Sequence, residues 1–294
     1  MRIVVPYAPG GITDSMARVL AASMATTLGR VVLVDNRPGA AGLLGVRAVQ
    51  AAAPNGDTIL FTNPGYITLP LLNRGANYDP VRDFTPIGMV GRSPLFLMVH
   101  RSVPAATTAE LVAYAKTQPG GITAANAGLG SNGHIAAMLF ARAAGVAIEH
   151  VAYKGTAEAA TALMSGEVQM QINATTEALN EQSREGLVRL LAVMSERRSP
   201  LAPGVPPIAE TLPSLSLDTW FGILGPAGTP PTVVQEINGA LAEALGSPQV
   251  RERFAAGFIE PEHSTPAELA SAIARSTEFW RKAFSELDVS GLRN

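Results

Sequence analysis

The 294-residue chain contains no cysteine, which excludes disulfides, thiolate nucleophiles and Cys-ligated zinc or iron–sulfur clusters. It has no run of five or more Lys or Arg, a formal net charge of −2 and a sequence pI near 6.1. The basic footprint of a nucleic-acid binder is therefore missing. No apolar stretch approaches the roughly 18 residues that a membrane span requires, so no insertion into a bilayer is expected. Met1 stands one residue ahead of a first strand with no basic, apolar and small-residue leader before it, which fits a cytosolic protein or a trimmed exported one. His100, His134, His150 and His263 are scattered without metal-ligand spacing. A Ser131–His134 couple lacks the glycine at position 129 that a hydrolase elbow needs. No catalytic residue, metal or cofactor is expected.

What the chain does have is apolar runs of strand length alternating with helix-length segments. Ile3–Tyr7, Val31–Asn36 and Thr58–Asn63 read as strands. Between the first two, Met16, Leu20, Met24 and Leu28 form an i, i+4 row closed by Gly29. Strands this apolar suit a mainly parallel sheet covered on both faces, and the order is that of a doubly wound α/β half. A second half starts near His100. Thr107 and Glu110 form a capping box, and Ile122–Ala127, Ile148–Tyr153, Val168–Asn173 and Val188–Ser195 read as strands. A Pro-rich passage from Ser199 to Pro213 precedes one more strand near Trp220. Thr229-Pro230 then announces a helix with Thr229 as its N-cap and Pro230 in its first turn, and Thr265-Pro266 announces a last one. The expected organisation is one discontinuous lobe, 1–98 plus 226–294, and a second lobe, 99–225, with a ligand cleft between them.

The loops after the strands carry the functional signal. Pro6-Tyr7-Ala8-Pro9-Gly10-Gly11 joins a strand to a helix, so the amides of Gly11, Ile12 and Thr13 would lie free at a helix start, an arrangement that favours an anion. The same glycine pair would also serve as a mere turn. Asp14, in the first helical turn, would brace the loop by accepting its amides, or else meet an amino or hydroxyl group of a ligand. Gly128-x-Gly130-x-x-Gly133 imitates the dinucleotide fingerprint. However, the next strand ends Tyr153-Lys154-Gly155 with no acidic residue, and Glu149 falls too early. What survives is a second glycine-rich helix start with Ser131 as its N-cap. Further loops at Lys154–Thr156, with Thr156 as N-cap, at Thr175 and Thr176, and at Asn63 would join these at the carboxyl ends of the strands.

The stretches VVPYAPGGITDSMAR, NRPGAAGLLG, YKGTAEA, SERRSPLAPGVPPIAETLP and WFGILGPAGTP together resemble the Bug-type periplasmic solute receptors of the tripartite tricarboxylate transporter family. The resemblance spans nearly the whole chain. It implies a two-lobed periplasmic-binding-protein (Venus flytrap) fold, a periplasmic location and no enzymatic activity. A small organic acid or acidic amino acid would be captured by a monomer and delivered to the subunits of a membrane permease. By matching position, ligand contacts would come from Pro9, Gly10, Gly11, Thr13, Asp14 and Asn63 in one lobe and from Gly130, Ser131, Thr156 and Thr175 in the other. One departure is Gln169, where relatives carry an aspartate. The competing expectation from the residues alone is an α/β enzyme that takes a nucleotide or phosphate at the Gly128–Gly133 loop.

Overall fold

A computed structural model describes residues 1–10, 12–128, 131–175, 177–217 and 219–286. In chain order its elements are β1 (Arg2–Val5), α1 (Ile12–Leu28), β2 (Leu33–Asn36), α2 (Leu43–Gln50), β3 (Thr58–Thr62), α3 (Gly65–Leu72), β4 (Phe84–Arg92), β5 (Leu95–His100), α4 (Thr108–Thr117), β6 (Ile122–Asn126) and α5 (Asn132–Ala144). There follow β7 (Ile148–Ala152), α6 (Thr156–Ser165), β8 (Met170–Ala174), α7 (Glu177–Arg184), β9 (Val188–Val193), β10 (Trp220–Pro226), α8 (Pro231–Gly246), α9 (Pro248–Ala256), β11 (Glu260–Pro261) and α10 (Pro266–Glu286).

The chain forms two compact units, Met1–Arg92 with Trp220–Asn294, and Ser93–Thr219. The crossings thus fall at 92/93 and 219/220, earlier than the 98/99 and 225/226 read from the sequence. The cause is strand pairing. Residues Leu95–Val99 belong to the second sheet through β8 and β9, and β10 belongs from Trp220 onward to the first sheet through β3 and β4.

The first sheet has the order β11-β4-β10-β3-β1-β2 and the second β7-β6-β8-β5-β9. In the first, β1, β2, β3 and β4 run one way and β10 and β11 the other. In the second, only β5 opposes the rest. Each unit therefore repeats one plan. Three parallel strands linked by helices are followed by an antiparallel strand donated by a crossing, with a fourth strand beyond it. Starting from the edge, β2-β1-β3-β10-β4 corresponds to β7-β6-β8-β5-β9.

In the first unit the Met16, Leu20 and Met24 row of α1 is buried against Ile3 and Val5 of β1, Ile59 and Phe61 of β3, and Ile237 and Leu241 of α8. Burial of each such side chain contributes roughly 1.5–3 kcal/mol. Gly29, at φ +60°, ends α1 in the left-handed region that glycine enters without strain. In contrast to the sequence reading, α8 is capped by Pro230 with Pro231 in its first turn. The Thr229 hydroxyl instead donates back to the Pro226 carbonyl at 2.7 Å. Thr265 and Glu268 do form a reciprocal box before α10, with Glu268 N to Thr265 Oγ1 at 3.2 Å and Thr265 N to Glu268 Oε2 at 2.8 Å.

Helix α3 carries Pro70 inside it. A proline has no N–H to give to the carbonyl four residues back, which here belongs to Tyr66, and the buried Tyr78 hydroxyl donates to that carbonyl instead. Removing the hydroxyl with Tyr78→Phe leaves a buried acceptor unmet. We expect a loss of about 1–3 kcal/mol, measurable as a lower urea midpoint at unchanged m-value; an unaltered midpoint would show that the carbonyl finds another donor.

Candidate functional site

In the first unit the ends of β1, β2 and β3 are tied together by side chains. Asp14, buried in the first turn of α1, accepts from the Gly10 amide at 2.9 Å and from Arg18 Nε at 3.1 Å, while Arg18 Nη2 lies 2.9 Å from its other oxygen. Arg18 also donates to Asn36 Oδ1 at 3.0 Å, and Asn36 Nδ2 donates to the Tyr7 carbonyl at 3.2 Å. The Tyr7 hydroxyl then donates to Asn63 Oδ1 at 3.0 Å, which also accepts from the Gly65 amide at 2.8 Å. One continuous network therefore runs through the three strand-to-helix loops. Tyr7, Arg18 and Asn36 were not singled out from the sequence.

Electrostatically the network is self-contained. Burial alone would raise the Asp14 carboxyl, but the hydrogen bonds from Arg18, Gly10 and Asn36 and the Arg18 charge outweigh it and hold the group below the usual carboxylate range. Burial pushes the Tyr7 phenol up to about 12 against the lowering effect of Thr62 and Asn63, which keeps its O–H intact as a donor. The loop glycines are fixed by close packing: a Cβ on Gly45 would lie 2.7 Å from Pro6 Cα, so α2 sits directly on the β1–α1 loop. Residues 39–42 all have positive φ, including Ala40 and Ala41.

Donors are left over. The amides of Ile12 and Thr13, in the first turn of α1, have no acceptor among the described residues, and Asn63 has spent its oxygen but not its NH₂. Pro9 and Gly10 are exposed beside them and Thr13 is buried; Gly11 lies outside the described residues.

The second unit repeats the arrangement at the ends of β6, β7 and β8. Ser131 is the N-cap of α5, accepting from the His134 amide at 3.3 Å. The amides of Asn132 and Gly133 have no acceptor among the described residues. A Cβ on Gly133 would stand 2.4 Å from the Ile172 carbonyl, so the start of α5 is pressed onto β8. Gly130 and Thr176 lie outside the described residues. Thr156 is not an N-cap: Gly155 is, and Thr156 is the exposed first residue of α6. The exposed Lys154 has its amide held by Glu158 Oε2 at 3.1 Å. Thr175, buried, donates to Asn180 Oδ1 at 3.0 Å. Gln169 lies apart from these groups. Its Oε1 accepts from the Thr123 amide at 3.0 Å and its Nε2 donates to the Tyr114 hydroxyl at 3.1 Å, a span that an aspartate could not bridge. His134 and His150 stack edge to face at 4.7 Å.

Residues 16–288 match the profile of the tripartite tricarboxylate transporter family receptor. The chain belongs to this family. Protein BugT of Bordetella pertussis is 36% identical over 284 residues, 95% of this chain and 86% of that protein. Among solved structures, Rpa4515 of R. palustris with adipate is 32% identical with a TM-score of 0.83, covering 96% of this chain and 95% of the other. MatC from Rhodopseudomonas palustris with bound malate is 30% identical with a TM-score of 0.81, covering 96% and 98%. As a member of the receptor family, this chain shares its two-sheet periplasmic-binding-protein fold. Glu149 stands at the beginning of β7, opposite Thr123, and not at its carboxyl end where a ribose would be held.

Two acid-side effects follow for the receptor. Burial and then the His150 neighbour hold His134 down at about 4, and burial lowers His150. Below the ordinary histidine value of about 6.5 the unfolded chain therefore takes up protons that the folded one refuses. Stability should fall between pH ~6.5 and ~4 and level off below that. The Asp14 contribution has its own window, full above the unfolded value of about 3.9 and lost as the pH drops through the depressed folded value. Urea midpoints measured against pH should show a smaller upper limb in His134→Gln, the His150 part remaining, and lose the lower limb in Asp14→Asn; a wild-type profile in both would refute these assignments.

Proposed function

We propose that this receptor works in the periplasm as a monomer, binds a small carboxylated metabolite and passes it to a membrane permease without transforming it. The observation that carries this reading is the surplus of N–H donors at the strand ends of both units, next to an acidic residue that is already neutralised from within. A helix start bears roughly half a positive elementary charge, and α1, α5 and α6 each begin at the end of a parallel strand. The Arg18 guanidinium is engaged by Asp14 and Asn36, so the anion is matched by dipoles and amides in place of a cationic clamp. The malate and adipate held by the two relatives are of this chemical class.

A thermal-shift series over di- and tricarboxylates, beginning with malate and adipate, tests the reading. At a ligand concentration near 100 times Kd the binding acid should add about 2.7 kcal/mol of stability, and mass spectrometry should recover it unchanged. Stabilisation by ATP or NAD with none from any carboxylate, or conversion of the bound acid, would overturn it.

A further inference from the structure

Two carboxamides in the second unit have the same peculiarity as Asn63. Asn126, the last residue of β6, is 1% exposed; its Oδ1 accepts from the Gly128 amide at 3.1 Å, and its Nδ2 is buried with no partner. Asn180, on α7, is 7% exposed; its Oδ1 accepts from the Thr175 hydroxyl at 3.0 Å, and its Nδ2 is likewise buried and unpartnered. At Asn126 the bond from a backbone N–H fixes which end of the amide is engaged, and the end left over is a pure donor with two N–H groups; at Asn180, as hydrogen-bonded here to the Thr175 hydroxyl, the NH₂ is likewise the end left over. Buried polar groups are nearly always paired, and leaving one unmet weakens a fold. Both lie at the carboxyl ends of adjacent parallel strands, since β6 and β8 pair through Ala124 with Met170 and Ala125 with Gln171. Asn126 leads into the loop before α5, and Asn180 is fastened to Thr175, directly after β8.

Gln171 provides the contrast. It is fully buried as the second residue of β8, and both its Nε2 and its Oε1 lack partners, so it asks for a donor and an acceptor together and lies before the carboxyl end of its strand.

We infer that Asn126 and Asn180 are ligand-recognition residues whose NH₂ groups donate to an acceptor-only group of the bound solute, a carboxylate, at the second unit. The inference rests on the receptor reading and sharpens it. With Asn132 and Gly133 supplying further amides, this end of the site is rich in donors. A carboxylate, directly or through an ordered water, satisfies it, whereas an ammonium group presented to the same face would leave every donor unmet. The solute accordingly turns a carboxylate toward these residues.

Isothermal titration of the whole receptor with the panel acid that wild type binds decides the matter. Asn126→Ser keeps an acceptor for the Gly128 amide and removes the NH₂. Asn180→Asp keeps the acceptor for Thr175 and replaces the NH₂ by an oxygen. Each should weaken binding at least tenfold while the ligand-free protein still melts cooperatively. Gln171→Met should bind like wild type and melt no lower. Wild-type affinity in both asparagine variants would overturn the assignment and leave the receptor reading standing. Failure of wild type to bind any carboxylate would remove the receptor reading and this inference with it. If Asn180→Asp does not fold, Asn180→Ser provides the same comparison.

Discussion

A helix that begins where a buried parallel strand ends must leave its first few N–H groups without intrahelical acceptors, and the behaviour of this receptor depends on how those groups are used. In the first unit one amide, that of Gly10, is given to Asp14, and the carboxylate is closed off by Arg18. The amides of Ile12 and Thr13 remain. In the second unit Ser131 takes the His134 amide and leaves those of Asn132 and Gly133. Asn63 spends its oxygen on internal bonds and spares its NH₂, so this end too has a donor to give. On the proposed reading these fixed dipoles are what an anion would meet, and dipoles set in packed backbone need little reorganisation when a ligand arrives.

The packing that fixes those dipoles follows from topology. Each sheet places three parallel strands side by side, so that their carboxyl ends open on one edge, and adds an antiparallel strand that the other half of the chain has delivered. Close contacts then lock the loops: α2 lies on Pro6 through Gly45, and α5 lies on the Ile172 carbonyl through Gly133. Side chains longer than hydrogen at either glycine would push a helix start away from the strand end.

Much of this was legible in the sequence. The α1 row of Met16, Leu20 and Met24, the terminating Gly29, the Ser131 cap and the glycine-rich helix starts are local signals, and local physics produces them. The parts that were not legible depend on partners far along the chain. Strands β4 and β5 are separated only by Ser93-Pro94, a break that does not say which sheet the next strand joins, and only pairing with β10 and β8 shows where one unit stops. Helix α3 hides behind Pro70, which a helical pattern should exclude, until Tyr78 supplies the missing donor. Tyr7, Arg18 and Asn36 join through contacts 18 to 56 residues apart, a separation that no motif spacing encodes. The Asn126 amide is not legible locally, because its burial comes from β6 lying between β7 and β8. Thr156 misled because a threonine after glycine imitates a cap, whereas Gly155 itself takes that position.

The central claim is that backbone and carboxamide N–H groups at the strand ends are what the solute meets. Amide NMR of the whole receptor, titrated with the carboxylate that stabilises it, tests this most directly. The account predicts the largest downfield shifts and slowed exchange at Ile12, Thr13, Asn132 and Gly133 and at the Asn63 side-chain NH₂. Saturable shifts that leave these groups unmoved and cluster instead on the helices remote from the strand ends would contradict it.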